Sequence, residues 1–253
     1  GDADKRIKED YLRILRYLRF FLIYSKQEHD LEIIRLLKIN IGGILKLSKE
    51  RLIDELKKIS KVNTLEKLVK NKLSLELFLI IYPELKNIKI FSKLNKDNRN
   101  IIKEKDFIFL LSLMIIDETD NTDYFLYRFN FSNKDQKRIK NIDNFYKEKI
   151  NSKTFTIKNM NKVFYYNGKE ATLDILNHRV IKSNKLDNSL KKLINHYENL
   201  KTPSMPISAD FLMKKYEIPE GKKLGEKLKM VEEEWVKNNF ELSDKQVEII
   251  INN

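Results

Sequence analysis

The residues with the most chemistry lie near the start of this 253-residue chain, in the run Asp4-Lys5-Arg6-Ile7-Lys8-Glu9-Asp10-Tyr11-Leu12-Arg13-Ile14-Leu15-Arg16. At about 100° per helical residue, Arg6, Asp10, Arg13 and Tyr17 form one stripe beside the apolar seam of Ile7, Tyr11, Ile14, Leu18 and Leu22. Glu9 stands four residues before Arg13 and is placed to hold its guanidinium. Arg16 and Arg19 are expected to point further toward solvent. An Asp beside an Arg is suited to reading the edge of a nucleobase. The carboxylate accepts from an exocyclic amine, and the guanidinium donates to the adjacent ring nitrogen. Cytosine and adenine present that order. Uracil and guanine put a carbonyl where the carboxylate sits, so they leave polar groups unpaired. The competing reading is a charged helix face whose ion pairs contribute about 0.2–0.5 kcal/mol each. The charged face is the ordinary expectation for such a helix; the stripe borders the seam, where both charges lose part of their water, and this weakens that expectation.

A long first helix has to position this stripe. The pattern then breaks at Gln27–Asp30, resumes with Leu31, Ile34 and Leu37, and stops at Gly42-Gly43. Ser48 reads as the N-cap of a helix over Lys49–Ile59. Leu65–Val69 and Leu73–Tyr82 follow, the latter stopped by Pro83. Ser92–Asn100 reads as a polar stretch before the apolar run Lys105–Ile116, and Asp117–Asp123 as a loop. Further helices are expected at Tyr124–Phe129, Ser132–Ile150, Ile157–Phe164, Lys169–Ile181 and Leu186–Leu200. Asn167-Gly168 is taken as a turn between helices rather than a hairpin. Thr202–Pro206 is the clearest linker. Beyond it come Ala209–Tyr216 capped by Ser208, Lys222–Asn238, and Asp244–Ile251 capped by Ser243. The expected fold is all-α, an elongated multi-helix array without a fixed-period repeat.

Composition narrows the classes. Apolar residues make up 42%, enough for a core, while 6 Gly and 4 Pro are too few for a turn-rich β-fold. No Cys excludes disulfides and thiolate chemistry, and three scattered His argue against a histidine metal site. The absent Cys fits a reducing compartment, the cytoplasm, with an organelle as the alternative. The longest apolar run, Phe107–Ile116, is about half a membrane span, and no targeting signal is visible. The charge of +13 invites an anionic partner. An AT-rich coding bias toward Lys, Asn and Ile would produce part of the same excess.

Glu9-Asp10-Tyr11-Leu12-Arg13 resembles the EDxxR element of the bacterial-type (class II) tRNA CCA-adding nucleotidyltransferase and poly(A) polymerase family. Ser48-Lys-Glu-Arg51-Leu-Ile-Asp-Glu55-Leu56 is similar to the family's next element, and Leu126–Lys134 to its body stretch "RL.LSN". Ile207–Leu212, Ile218–Gly221, Leu224-Gly225 and Glu234-Trp235 resemble its tail pattern, departing at Ala209 for Gly and Glu220 for Pro. The resemblance implies a neck over residues 1–62, a body over 63–200 and a tail over 201–253. In such an enzyme a head domain with a Gly-Ser motif and paired catalytic Asp binds two Mg2+, the neck templates CTP or ATP, and body and tail hold the tRNA acceptor stem and elbow. Asp10 and Arg13 would then read the nucleobase with Glu9 behind Arg13 and with Arg16 and Arg6 nearby. Arg51 and Glu55 would brace the neck.

The head is not recognisable here. Two-metal catalysis needs carboxylates around ions about 3.5–4 Å apart. The one D-x-D, Asp2-Ala3-Asp4, lacks a preceding Gly-Ser and is better read as acids at a helix start. The chain is therefore expected to carry no catalytic or metal-binding residues and to be inactive alone. Seven Lys/Arg between Leu85 and Lys105, and nine between Phe131 and Val163, suggest phosphate contact with tRNA. Lys134, Lys137 and Arg138 are the candidates there. Lys222 and Lys223, behind the Pro219–Gly221 turn, are candidates at a helix N-terminus. Solvated lysine faces are the plain alternative. Phe155, Phe164, Tyr165 and Tyr166 are expected in the core more than on bases, as is Trp235. His178 and His196 are expected as surface or capping groups. A stand-alone helical RNA-binding module and a part of a poly(A) polymerase remain the other readings.

Overall fold

The computed structural model describes residues 2–148 and 154–252. Among the described residues there are fifteen α-helices, two 3-10 helices and no strand. Contacts divide the chain into two compact units, Gly1–Glu148 with His178–Lys185, and Lys149–Asn177 with Leu186–Asn253.

The first unit opens with a departure from the expected long helix. α1 covers Ala3–Glu9 and α2 covers Leu12–Tyr24. Between them Asp10 adopts an extended conformation (φ −152°, ψ 101°) and its carboxylate accepts from the Leu12 N–H at 3.2 Å. A short polar side chain that caps the next helix competes with continuation of the previous one. The apolar spacing runs across the break, so the interruption leaves little trace in the periodicity. Asp2 caps α1 by accepting from the N–H groups of Asp4 and Lys5, which gives the D-x-D motif a helix-start role.

α3, Leu31–Asn40, is capped by Asp30, and a 3-10 helix over Ile41–Lys46 follows. The glycine pair lies inside that 3-10 helix. Gly43 is needed for close approach, since a Cβ there would meet the Tyr11 ring at 2.1 Å. α4, Lys49–Ile59, starts at Ser48, whose Oγ accepts from the Arg51 N–H, and buries Leu52, Glu55, Leu56 and Ile59. α5 (Val62–Lys70) and α6 (Lys72–Ile81) match the expected apolar segments. A second 3-10 helix, Lys86–Ser92, leads to α7, Lys96–Lys103. The polar stretch thus contains a helix that pattern reading passes over, because only Asn98 and Ile102 of α7 are buried. α8 (Phe107–Ile115) is buried from Phe109 onward, and α9 (Asn121–Phe129) and α10 (Asn133–Lys147) complete the segment. The last two residues of the predicted Ser132–Ile150 helix lie outside the described residues. The core of this unit includes Leu15, Leu56, Phe78, Tyr82, Phe109 and Phe125.

α11 runs over Ile157–Ser183 with non-helical dihedrals at Gly168 (φ 88°), the position expected to turn between two helices. Its residues from His178 onward belong to the first unit. In the second unit, α12 (Asn188–Asn199) is capped by Asp187, and residues 201–208 are irregular, as the Pro-rich linker predicts. α13 (Ala209–Tyr216), α14 (Lys222–Lys237) and α15 (Asp244–Asn252) enclose a small core of Leu212, Ile218, Leu224, Val231 and Val247. Phe155, Phe164 and Trp235 are buried, and Trp235 meets Tyr165 edge-on at 5.4 Å. Tyr166 is half exposed and donates its hydroxyl to Glu232 at 3.3 Å.

Candidate functional site

The break between α1 and α2 fixes the geometry of the candidate site. The Asp10 carbonyl accepts from the Arg13 N–H at 3.0 Å, so both residues belong to the turn that starts α2. The Asp10 carboxylate is anchored from across the unit. One terminal nitrogen of Arg51, on α4, donates to both of its oxygens at 3.0 Å. Burial raises the Asp10 carboxyl, but the Leu12 N–H and the Arg51 guanidinium outweigh it and hold it below its ordinary value. Asp10 is therefore an anion at neutral pH. A carboxylate has about four lone-pair sites, and three contacts leave room for one more donor.

Arg13 is much less committed. Among the described residues its one ion pair is with Glu9 at 3.8 Å and its buried Nε has no partner, while its side chain is 42% exposed. Glu9 does reach Arg13, across the break rather than along one continuous helix. Arg6 is exposed. The stripe therefore supplies a fixed acceptor beside a donor group with unused N–H bonds.

One and two turns further along α2 the same chemistry is used differently. Glu55 is 1% exposed and takes Arg19 Nε at 2.8 Å, Lys58 Nζ at 2.9 Å and Arg16 Nε at 4.0 Å. Burial raises its carboxyl, and the Lys58 and Arg19 bonds bring it below the ordinary value. Arg19 is only 18% exposed, so it turns inward rather than toward solvent, while Arg16 stays half exposed. The sequence gives no local signal for this node, since Glu55 lies 36 residues from Arg19.

The basic candidates separate into free and committed groups. Lys134 and Lys137 on α10 are exposed, whereas Arg138 is 15% exposed and held by Asp106 at 2.5 Å. Lys222 and Lys223 are exposed at the start of α14, with Lys222 3.9 Å from Glu226. Gly221 there caps with no side chain. Lys149 and Lys153 of the second basic segment lie outside the described residues. His178 departs from expectation, being buried rather than at the surface. Among the described residues no group of three or more His, Cys, Asp or Glu could hold a metal ion. No described helix is long and apolar enough to cross a membrane.

Comparisons with known proteins bear on family and fold. Residues 100–249 match the family described as tRNA nucleotidyltransferase domain 2. Human CCA tRNA nucleotidyltransferase 1, mitochondrial, is 26% identical over 96% of this chain, which spans 55% of that protein's length. The Bacillus stearothermophilus CCA-adding enzyme, solved in complex with CTP, covers the whole chain at a TM-score of 0.65 and 17% identity, with 64% of its own chain matched. The Thermotoga maritima CCA-adding enzyme, solved with tRNA, covers 97% at a TM-score of 0.57 and 16% identity, with 62% of its own chain matched. At these identities the structures speak for the fold alone. The match over residues 100–249 makes the chain a member of the tRNA nucleotidyltransferase family.

Proposed function

We propose that this chain is the neck, body and tail portion of an enzyme that adds CCA to tRNA 3′ ends, with boundaries at residues 1–62, 63–200 and 201–253. In this reading Asp10 accepts from the exocyclic amine of CTP or ATP and Arg13 donates to the neighbouring ring nitrogen. The observation that carries it is the contrast within one turn: Asp10 is pinned by Arg51 and Leu12, while Arg13 keeps unused donors. Glu9 limits the swing of Arg13, Arg16 and Arg6 add positive charge, and Arg51 and Glu55 hold α2 against α4. Lys134, Lys137, Lys222 and Lys223 take phosphates of the tRNA acceptor stem and elbow, with Arg138 contributing less because Asp106 holds it. The Mg2+-dependent transfer belongs to a catalytic head that these residues do not supply. The human relative is mitochondrial by name, and the reducing compartment for this chain is the cytoplasm or an organelle.

The test uses a head-containing enzyme bearing this sequence. Asp10→Ala or Arg13→Ala should relax the choice of C and A while tRNA affinity stays within about twofold. Loss of tRNA binding in step with selectivity would sink the templating role. Sequencing the products separates CCA ends from A-only tails, which would assign a poly(A) polymerase instead. The chain by itself, given CTP, ATP, Mg2+ and tRNA, should make no product.

A further inference from the structure

Several buried polar groups of the first unit are incompletely satisfied among the described residues, and His178 is one of them. His178, in the last turns of α11, is 2% exposed, and among the described residues its ring nitrogens make no well-formed hydrogen bond, the Ser112 backbone offering at most a loose one. Buried polar groups without partners are rare, and a missing ion or ligand is one physical reason for them. The ring packs against Tyr146, 5.0 Å between centroids, and against Phe109 edge-on at 6.5 Å. Burial, and then the charge of Lys182, push His178 down to about 3 against a pull from the Ser112 backbone. At neutral pH the ring is therefore uncharged and carries one N–H donor.

His178 lines a cavity of about 270 Å3 together with four lysines, Lys86, Lys89, Lys93 and Lys182. Ile90, Leu113 and Ile116 give it an apolar side. Lys86 and Lys89 stand three apart in the Lys86–Ser92 3-10 helix, where residues i and i+3 eclipse on one face. Asp117 holds Lys86 at 3.3 Å and Glu118 holds Lys182 at 2.8 Å. Among the described residues neither Lys89 nor Lys93 pairs with a carboxylate, so the cavity keeps a surplus of positive charge.

We propose that this cavity binds a small phosphomonoester, with Lys89 and Lys93 on the phosphate, His178 supplying a neutral N–H donor, and Ile90, Leu113 and Ile116 against the organic body. Two features favour a terminal phosphate over the phosphodiester of an RNA strand. A phosphomonoester carries close to two charges at neutral pH, its second pKa being about 6, which suits several ammonium groups converging on one point. It also enters a cavity at one end, whereas a phosphodiester is flanked by a sugar on either side and runs along a surface. The inference stands apart from the nucleobase-reading role of Asp10 and Arg13.

Calorimetric titration of the full chain with phenyl phosphate, and with phenyl sulfate at matched ionic strength, tests it. One saturable phenyl phosphate site is expected, at least tenfold weaker for phenyl sulfate and at least tenfold weaker in a Lys89→Ala/Lys93→Ala variant. In wild type the ring 15N resonances of His178 should move on saturation, while those of His29 stay in place. The lysines are exposed, so the double variant folds and decides the matter even where His178→Gln does not. Absence of a saturable site, equal affinity for the sulfate, or unchanged affinity in the double variant would overturn the proposal. So would a double variant that loses tRNA affinity when phenyl phosphate binds neither protein, because the lysines would then form an RNA backbone surface.

Discussion

Asp10 and Glu55 are two carboxylates in the packing of α2 against α4, each met by arginine, and they differ in what remains free. Glu55 is 1% exposed and is surrounded by Arg19, Lys58 and Arg16. Asp10 keeps 26% of its side chain in solvent and has one firm cationic partner, Arg51. A buried carboxylate surrounded by donors is a structural node, since removing it leaves cations without compensation. A partly exposed carboxylate next to an under-used guanidinium costs little to keep and retains capacity for a ligand. Under the proposed reading, saturation and burial would separate the same residue types into brace and reader.

The comparison is broken most strongly at the buried end. Glu55→Ala should cost about 3–5 kcal/mol, the range for breaking a buried charge pair, read by urea unfolding followed by far-UV circular dichroism. The partners Lys58 and Arg16 are half exposed, which places the value toward the lower end. Glu55→Gln keeps an acceptor for Arg19 and should recover part of the loss. A Glu55→Ala variant as stable as wild type would show that the node braces nothing. Gly43→Ala comes next. The added methyl would fall on the Tyr11 ring, and overpacking of that kind costs about 1–3 kcal/mol. Tyr11 separates Asp10 from Leu12, so the displacement should also disturb base selection, which Glu55→Gln should not.

Much of this arrangement is legible in the sequence. Ser48, Ser132 and Ser208 each cap the helix that the apolar spacing predicts behind them, because a cap is a local bond between neighbours. The Gly168 break and the irregular stretch around Pro203 and Pro206 are legible for the same reason. The break at Asp10 is not, since Ile7, Tyr11 and Ile14 keep a helical period across it. The Arg51–Asp10 and Arg19–Glu55 bonds, spanning 41 and 36 residues, are set by how helices pack. His178 looks like a surface residue on a polar stretch and is buried only because α8 and α10 bring Phe109 and Tyr146 against it.

Acid titration sharpens the comparison because histidines and carboxylates act in different windows. His178 binds a proton in the unfolded chain near its ordinary 6.5 but in the folded chain only near 3. The unfolded state therefore holds more protons between those values, and stability falls as pH drops through that window, by up to about 1.4 kcal/mol per pH unit. The groups facing the ring are Tyr146, Lys182 and the cavity lysines Lys86, Lys89 and Lys93. His29, bonded to Tyr17 and Ser74, is also lowered by burial and adds in the same direction. Asp10 and Glu55 are lowered from ordinary values of 3.8 and 4.5, so their contributions are intact above those values and disappear only below them. Unfolding free energies between pH 6.5 and 4.5 should therefore decline in wild type, less steeply in His178→Phe, and equally in Asp10→Ala and wild type. A His178→Phe variant with the wild-type slope would show that the ring titrates normally.

The smallest effect on stability is expected at Asp10 itself. Asp10→Ala removes one cap to the Leu12 N–H and one half-exposed ion pair with Arg51, losses of about 0.5–1 kcal/mol together. Arg51→Ala should cost no more, because it leaves Asp10 hydrated and still capping α2. The two variants should nevertheless differ in function. Without Asp10 no acceptor faces the exocyclic amine. Without Arg51 the acceptor survives but is free to rotate about its side-chain bonds, so C and A selection should weaken in Arg51→Ala less than in Asp10→Ala. Incorporation ratios measured in a head-containing enzyme check this ranking. Equal loss in both variants would mean that the orientation Arg51 imposes on Asp10 matters as much as the carboxylate, and the division into brace and reader would then fail at Arg51.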